Sequence, residues 1–166
     1  MQDQSDNGRM EKKIELLSVR VGEQEYAIDI RYVHEIKGWG ALTRLPFAPD
    51  FIKGMMNLRG KVLVVVDLAR RLGLECREFT QSSVVVVAEY KGCIAGLMVD
   101  GVCDIVAITE SMRQKTPETG SDLPKSFIEG LVMMEDQIIS ILSIASVIPD
   151  EQIQRMAEEF SAGAVC

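Results

Sequence analysis

The sequence predicts an all-β protein whose short strands close into barrels or a sandwich. Its apolar runs are strand-sized, and turn signals rich in Gly, Asn or Pro recur about every ten residues. Two distant segments, 51–68 and 127–144, also follow one pattern, in which Phe-Ile-charged-Gly opens an apolar hairpin with a polar turn. These observations indicate an internal duplication, and a duplicated unit dictates the architecture.

The first part of the chain predicts a leader and a hairpin. Residues 1–12 are mostly polar, which is typical of a flexible leader. Apolar alternation from Ile14 to Val21 predicts a strand. Gly22 begins a turn into a second strand that ends at Ile28.

The next segment predicts short elements and then the first long hairpin. Residues 31–36 favour a short helix, and residues 42–45 favour a short strand between Gly and Pro breaks. The apolar hairpin turns at residues 57–60, where Gly60 suits a left-handed backbone position. Asp67 then predicts a helix N-cap, because its carboxylate can accept from the first free N–H groups.

The second half repeats this plan. Residues 83–90 and 93–99 predict a hairpin, and residues 101–108 predict a further strand. The second Phe-Ile-charged-Gly hairpin then ends at Ser143, an N-cap residue that matches Asp67.

A second pair of segments supports the duplication. Two short patterns come before each long hairpin. A strand ends with an apolar residue and Asp, and a four-residue unit follows that has an apolar residue first, an acidic residue third and Ile fourth. With a two-residue contraction, Ile28-Asp29 and 33–36 align with Val99-Asp100 and 102–105.

The C-terminal region, residues 149–166, predicts an amphipathic helix followed by a tail. Four apolar side chains fall on one helical face behind a proline, which favours packing of that face on a barrel. They are Ile153, Met156, Ala157 and Phe160.

Composition excludes several classes of function. The net charge of −7 and the lack of lysine and arginine clusters argue against nucleic-acid binding. The apolar runs are far shorter than the roughly 20 residues that span a membrane, and the N-terminus resembles no signal peptide. The four cysteines form no spaced metal pattern. We therefore expect a cytoplasmic protein without membrane insertion.

Catalytic patterns are also absent from the sequence. His34, the single histidine, lies beside Glu35 but has no activated nucleophile to serve. Asp29, Asp67 and Asp100 stand at strand ends or helix starts, where capping explains them. We expect no enzyme activity and no cofactor. A small β-barrel enzyme or ligand-binding protein, the alternative, would need clustered titratable groups around a pocket.

Arg59 and the segment around Glu35 are the candidate interaction residues. Arg59 sits in a rigid turn, either as a solvated arginine or as a planar fork that pairs with a partner's carboxylate or amide. Ile30, Val33 and Ile36 form an apolar stripe that is either core or one wall of a groove. A groove edged by one acid and one arginine would suit an amphipathic helix.

These residues carry a family likeness. The segments Val-His-Glu-Ile-Lys-Gly (33–38), Asn-Leu-Arg-Gly (57–60), Val-Asp-Leu (66–68) and Gly-Leu-Met-Val-Asp-Gly-Val (96–102) resemble the CheW family of bacterial chemotaxis coupling proteins. The likeness runs over about residues 13–148. It implies two packed five-stranded SH3-like β-barrels, interleaved within one CheW-like domain, and no catalysis.

The resemblance also implies two partners and a set of contact residues. The partners are the helical hairpin at the cytoplasmic tip of a chemoreceptor and the regulatory domain of the histidine kinase CheA. Receptor contacts would come from Ile30, Val33, Glu35, Ile36, Gly54, Arg59, Val84, Gly96 and Val102. Kinase contacts would come from Leu42, Arg44 and Val62.

The expected function is a non-catalytic adaptor recruited to receptor arrays at the inner membrane. Two alternatives stay open at this point. One is a coupling protein of a pilus or other chemosensory pathway, and the other is a homologue that binds kinase without receptor. Some relatives present an apolar side chain for a second kinase contact, where this chain has the polar stretch 117–122.

Overall fold

A computed structural model of the chain describes residues 12–74, 80–115, 127–148, 153–155 and 157–159. The strands within these ranges are β1 (Lys13–Val21), β2 (Gln24–Asp29), β3 (Val33–Gly38), β4 (Ile52–Leu58), β5 (Lys61–Asp67), β6 (Val84–Tyr90), β7 (Cys93–Val99), β8 (Gly101–Thr109), β9 (Arg113–Gln114), β10 (Ile128–Met134) and β11 (Gln137–Leu142). The α-helices are α1 (Leu68–Arg71) and α2 (Ile144–Val147), and 3-10 helices cover Ile30–Tyr32 and Glu110–Met112. Residues 153–155 and 157–159 are also helical.

The strands form two sheets that exchange elements between the two copies of the duplicated unit. The six-stranded sheet has the order β8-β1-β2-β11-β10-β9, and the five-stranded sheet has the order β3-β6-β7-β5-β4. In each sheet, a hairpin of one copy lies beside a hairpin of the other, joined through the parallel pairs β2–β11 and β5–β7. The predicted all-β class with duplicated SH3-like barrels is confirmed. Hereafter these are the six-stranded barrel and the five-stranded barrel.

The sixth strand, β9, is the counterpart of a bridge in the other barrel. Gln114 pairs with Leu131 on β10, as Thr43 pairs with Met55 at the equivalent place on β4. The predicted strand at 42–45 is therefore wrong, because only Thr43 of this segment pairs with the sheet.

The duplication holds residue by residue in the third strand of each copy. Both strands carry a bulge at the same point. In β3 it lies between the pairs Val33↔Ala88 and Glu35↔Val87. In β8 it lies between the pairs Val102↔Val19 and Asp104↔Ser18.

The two-residue contraction between the copies is wrong. Val64 and Ser140 occupy the same place in the two long hairpins. Val64 pairs with Ala95 and Ser140 pairs with Tyr26, so Ala95 and Tyr26 are equivalent. Counting from these residues, Ile28–Asp29 is equivalent to Leu97–Met98 rather than to Val99–Asp100. The predicted short helix at 31–36 is confirmed only for Arg31 and Tyr32, which belong to the 3-10 helix Ile30–Tyr32, and is wrong for the rest. Residues 33–38 pair with β6, which satisfies their backbone groups without a helix.

Apolar clusters fill both barrels and the space between them, and those on the two faces of β5 and β6 explain the continuous valine runs of these strands. Leu16, Ala27, Ile108 and Ile139 belong to the cluster inside the six-stranded barrel. Leu63, Val65, Val85 and Val87 belong to the cluster inside the five-stranded barrel. The alternate faces of the same strands bury Val66, Val86, Tyr26 and Ile28 in a third cluster that the two sheets share. Strands buried on both faces read as unbroken apolar runs.

Helices close the fold around these clusters. Asp67 caps α1 as predicted, because its carboxylate accepts a hydrogen bond from the Arg70 N–H at 3.4 Å. Ile153 and Ala157 of the C-terminal helical segment pack with Met55 and Val64 on the five-stranded barrel. Met156 and Phe160 lie outside the described residues, and so does most of the predicted leader. Among the described residues, no helix has both the length and the apolar character needed to cross a membrane.

Arg71 joins the two copies at the centre of the fold. Its guanidinium carbon lies 4.1 Å from the ring centroid of Phe51 and 4.9 Å from that of Phe127, the residues that open the two equivalent hairpins. The same group donates to the carbonyl oxygens of Ser146 at 3.0 Å and Val147 at 3.3 Å. Arg71 thus links α1 of one copy to α2 of the other.

Arg71→Ala should lower the free energy of unfolding by about 2 kcal/mol, because two aromatic contacts and two charge-assisted hydrogen bonds are lost. Arg70→Ala is the matched control, since the Arg70–Asp50 pair is exposed and such pairs contribute about 0.5 kcal/mol. Urea denaturation of both variants measures the difference. Equal losses would contradict the linking role of Arg71.

Gly96→Ala should destabilise the five-stranded barrel by about 1–3 kcal/mol, because overpacking forces neighbouring core side chains to shift. A Cβ at Gly96 would lie 2.5 Å from Cγ1 of Val85 and 3.2 Å from Cδ2 of Leu63. Gly38→Ala, where no atom comes within 4 Å of an added Cβ, should be nearly neutral. Calorimetric melting compares the two variants, and a neutral Gly96→Ala would show that this core can give way.

Candidate protein-interaction site

An ion pair between Glu35 and Arg59 spans the two edges of the five-stranded sheet. Glu35 lies on β3, the strand at one edge. Arg59 lies in the turn between β4 and β5, and β4 is the strand at the other edge. Arg59 Nη1 is 2.7 Å from Glu35 Oε2. The Arg59 side chain is 74% exposed and that of Glu35 is 27% exposed, so the pair faces solvent and is accessible to a partner.

The turn fixes where Arg59 projects. Arg59 and Gly60 have φ values of 51° and 86°, which match the type I′ turn that joins two-residue hairpins. The Gly60 N–H donates to Oδ1 of Asn57 at 2.9 Å, which secures the loop from inside. A left-handed conformation at a non-glycine residue costs about 1 kcal/mol, and here the hairpin imposes it.

The apolar residues among the predicted receptor contacts come from both barrels. Ile36 on β3 is 45% exposed, and Val102 on β8 of the six-stranded barrel is 37% exposed. Val33 and Val84 are half-buried against the shared cluster. Ile30 is half-buried in the 3-10 helix that precedes β3. The predicted receptor residues thus include half-buried and exposed apolar groups from both barrels.

Two predicted receptor residues, Gly54 and Gly96, are buried. A Cβ at Gly54, whose φ is 157°, would lie 2.8 Å from the Thr43 carbonyl oxygen. Gly54 therefore lets the 42–45 segment approach β4, and Gly96 lets β7 pack inside the barrel. Both shape the barrel rather than offer surface.

The Asp29 carboxylate organises the start of β3. It accepts from the Arg31 N–H at 2.9 Å and forms an ion pair with the Arg31 guanidinium at 2.7 Å. Burial raises the pKa of Asp29, but hydrogen bonds and positive charge from Arg31 outweigh it and hold that pKa below its usual value. The pair holds the 3-10 helix that carries Ile30.

The predicted kinase residues differ in exposure and belong to different parts of the five-stranded barrel. Arg44 is exposed, whereas Leu42 is half-buried against the cluster inside the barrel. Val62 is half-buried in the cluster that includes Ile153 and Ala157. The C-terminal helical segment therefore packs in the same cluster as Val62.

Two features of the surface were not predicted from the sequence. The Phe47 side chain is 99% exposed at the tip of the loop before β4. The two prolines at positions 46 and 49 marked that loop, but not the exposure of its aromatic residue. His34, next to Glu35, forms a hydrogen-bonded pair with Glu89 on β6, a contact that needs the register of β3 on β6.

The remaining polar groups near strand ends are structural. The Asp100 carboxylate accepts from the Gly22 N–H at 2.8 Å, and Asp67 caps α1. Among the described residues, no three His, Cys, Asp or Glu side chains are grouped so that they could hold a metal ion. The arrangement of this site suits protein binding.

The sequence model of the family described as the CheW-like domain matches residues 15–152. The chain belongs to the CheW-like family. It is 41% identical over 138 residues to the chemotaxis protein CheW of Rhizobium meliloti, covering 83% of this chain and 89% of that protein.

Other relatives define the class of function and its variants. The crystal structure of the scaffolding protein TtCheW from Thermoanaerobacter tengcongensis superposes with a TM-score of 0.73 at 34% identity, covering 81% of this chain and 90% of that one. A shorter match, 31% over 86 residues, covers 52% of this chain and 48% of protein PilI from Pseudomonas aeruginosa. The chain is accordingly a non-catalytic CheW-type scaffold protein of chemotaxis.

Arg31→Gln should destabilise this CheW-like protein at neutral pH but not in acid. The lowered pKa of Asp29 contributes stability above the usual carboxyl range, and this contribution is lost as the pH falls through the folded-state pKa. The difference in unfolding free energy between the two proteins should be full above about pH 5 and should shrink as the pH falls below the usual carboxyl pKa of about 3.9. Denaturant unfolding at several pH values measures it, and a pH-independent difference would contradict the linkage.

Proposed function

We propose that this chain couples the cytoplasmic tips of chemoreceptors to the histidine kinase CheA within receptor arrays at the inner membrane. The observation that carries the proposal is the Glu35–Arg59 pair, which faces solvent on a CheW-type barrel whose strand β3 also exposes Ile36. A solvent-facing ion pair next to exposed apolar groups is a surface that a partner can use for both specificity and burial.

The receptor contact follows the geometry of a helix laid against this surface. An amphipathic helix would bury its apolar face on Ile36, Val102 and the half-buried Val33, Val84 and Ile30. Its polar groups would meet Arg59 and Glu35 at the edge. Arg59 is the residue most able to bind such groups, because its guanidinium presents several donors in a planar fork. Gly54 and Gly96 contribute by allowing the barrel to keep its shape.

The kinase contact lies on a second surface of the same barrel, around Arg44. Arg44 is exposed there, and Leu42 supports it from the cluster inside the barrel. Val62 takes part together with the helical segment that packs in its cluster. Two faces on one rigid barrel allow receptor and kinase to bind at the same time, which is what a coupling protein requires.

A second candidate function is coupling in a pilus-associated chemosensory pathway. The partial match to PilI favours it, although that match covers about half of each chain. The same two faces would serve, with a different receptor tip. Binding assays against receptor tips of both pathways separate the candidates.

Arg59→Ala and Glu35→Ala should each weaken binding to a chemoreceptor cytoplasmic fragment by about tenfold or more. Thermal stability should be nearly unchanged, because an exposed ion pair contributes little to folding. Affinity for CheA should also persist, since neither residue is among the proposed kinase contacts. Calorimetric titration against each partner separately measures the three quantities.

Lys61→Ala is the matched control, because Lys61 is an exposed cation next to the same turn. It should bind the receptor fragment as the unaltered chain does. Full receptor binding by both Arg59→Ala and Glu35→Ala would remove the site assignment. An unaltered chain that binds neither partner would remove the adaptor function itself.

A further inference from the structure

The loop between β3 and β4 displays an aromatic side chain in a costly way. Phe47 is 99% exposed and has a φ of 61°. Exposing a phenylalanine forgoes the free energy of burying its ring, and a left-handed backbone is unfavourable for a residue with a Cβ. A bulky residue in that conformation departs from what folding alone would favour.

The rest of the loop is held in place, so the position of Phe47 is fixed. Leu45 is buried and Ala48 packs with it in the cluster formed with Met55 and Val64. The Thr43 backbone exchanges two hydrogen bonds with Met55 at 2.7 and 2.8 Å. The Pro49 carbonyl accepts from the Ile52 N–H at 3.0 Å. Anchors on both sides of Phe47 therefore direct its side chain away from the barrel.

A rigid, exposed aromatic residue is well suited to protein binding. Aromatic anchors that fill a pocket supply much of the affinity at interfaces. Their cost on binding is small when the loop that carries them is already ordered. Phe47 is the most exposed large apolar side chain of this loop, and the exposed Pro46 and Pro49 on either side restrict the backbone around it.

The position of Phe47 separates it from the receptor surface. Arg59 lies beyond one end of β4, and Phe47 lies before the other end of the same seven-residue strand. A strand of this length spans about 20 Å. Phe47 is instead only three residues from Arg44, on the connection that also carries Leu42. It is therefore continuous with the proposed kinase face and remote from the ion pair.

We propose that Phe47 is the apolar anchor by which the five-stranded barrel docks on the regulatory domain of its CheA kinase. The inference rests on the adaptor function proposed above and adds its principal kinase contact. Phe47 inserts into an apolar pocket of the kinase, while the exposed Arg44 meets carboxylate or carbonyl groups at the rim of that pocket. The loop acts as a preformed wedge, so the barrel does not rearrange to bind.

Phe47→Asn provides the sharpest test. Asparagine accepts a left-handed backbone more readily than phenylalanine, so the variant should melt at the same or a higher temperature than the unaltered chain. Its dissociation constant for full-length cognate CheA should rise about tenfold or more, with receptor binding unchanged. Phe47→Trp, the matched control, keeps an aromatic anchor and should bind CheA within about threefold of the unaltered chain.

Each outcome decides between the proposals. If the unaltered chain binds CheA and Phe47→Asn binds equally well, the anchor is overturned while the adaptor function stands. If the unaltered chain does not bind CheA, both fail. Analytical ultracentrifugation of the unaltered chain and Phe47→Asn adds one more arm. A loss of self-association without a change in CheA affinity would show that Phe47 contacts a second copy of the chain and would overturn the kinase anchor.

Discussion

The structure depends on two parallel strand contacts that join the copies of a duplicated unit. β2 pairs with β11, and β5 pairs with β7, so each barrel takes a hairpin from each copy. Neither copy can form a complete sheet alone, because its edge hairpins need the other copy for backbone partners. The exchange also buries both faces of the central strands, which places a shared apolar cluster between the barrels. The strand pairings that form the barrels therefore also fix how the two barrels sit against each other.

Arg71 reinforces this exchange from the centre. It lies between Phe51 and Phe127, which open equivalent hairpins, and it donates to carbonyl groups at the end of α2. The two copies thus differ at the equivalent helices α1 and α2. The first copy supplies the cation of Arg71, and the second copy supplies the carbonyl groups that accept its hydrogen bonds. Such asymmetry suits a protein whose two halves no longer perform the same task. The ion pair of Glu35 and Arg59 occurs in one copy, where the other has Asp104 and Glu135 at the matching places.

The five-stranded barrel carries the Glu35–Arg59 pair and Phe47 at opposite ends of β4. At one end, a type I′ turn holds Arg59 toward Glu35 and exposed apolar groups. At the other end, a loop held by Leu45 and Ala48 displays Phe47. The strand between them is paired along its length, so the distance between the two faces is fixed. A scaffold of this kind sets the spacing of its partners through the rigidity of one strand pair.

The sequence alone determined the all-β class, the duplication, the hairpin turns and the Asp67 cap, because each follows from local periodicity or from one residue's conformational preference. It also singled out Arg59 and Glu35, through their turn position and the family resemblance. Only the tertiary structure decided which copy supplies each strand, that residues 33–36 form a strand and not a helix, and that Gly54 and Gly96 are buried. It alone revealed the exposure of Phe47 and the contacts of Arg71. These features depend on pairings between residues far apart in the chain, and local preferences carry no information about such pairings.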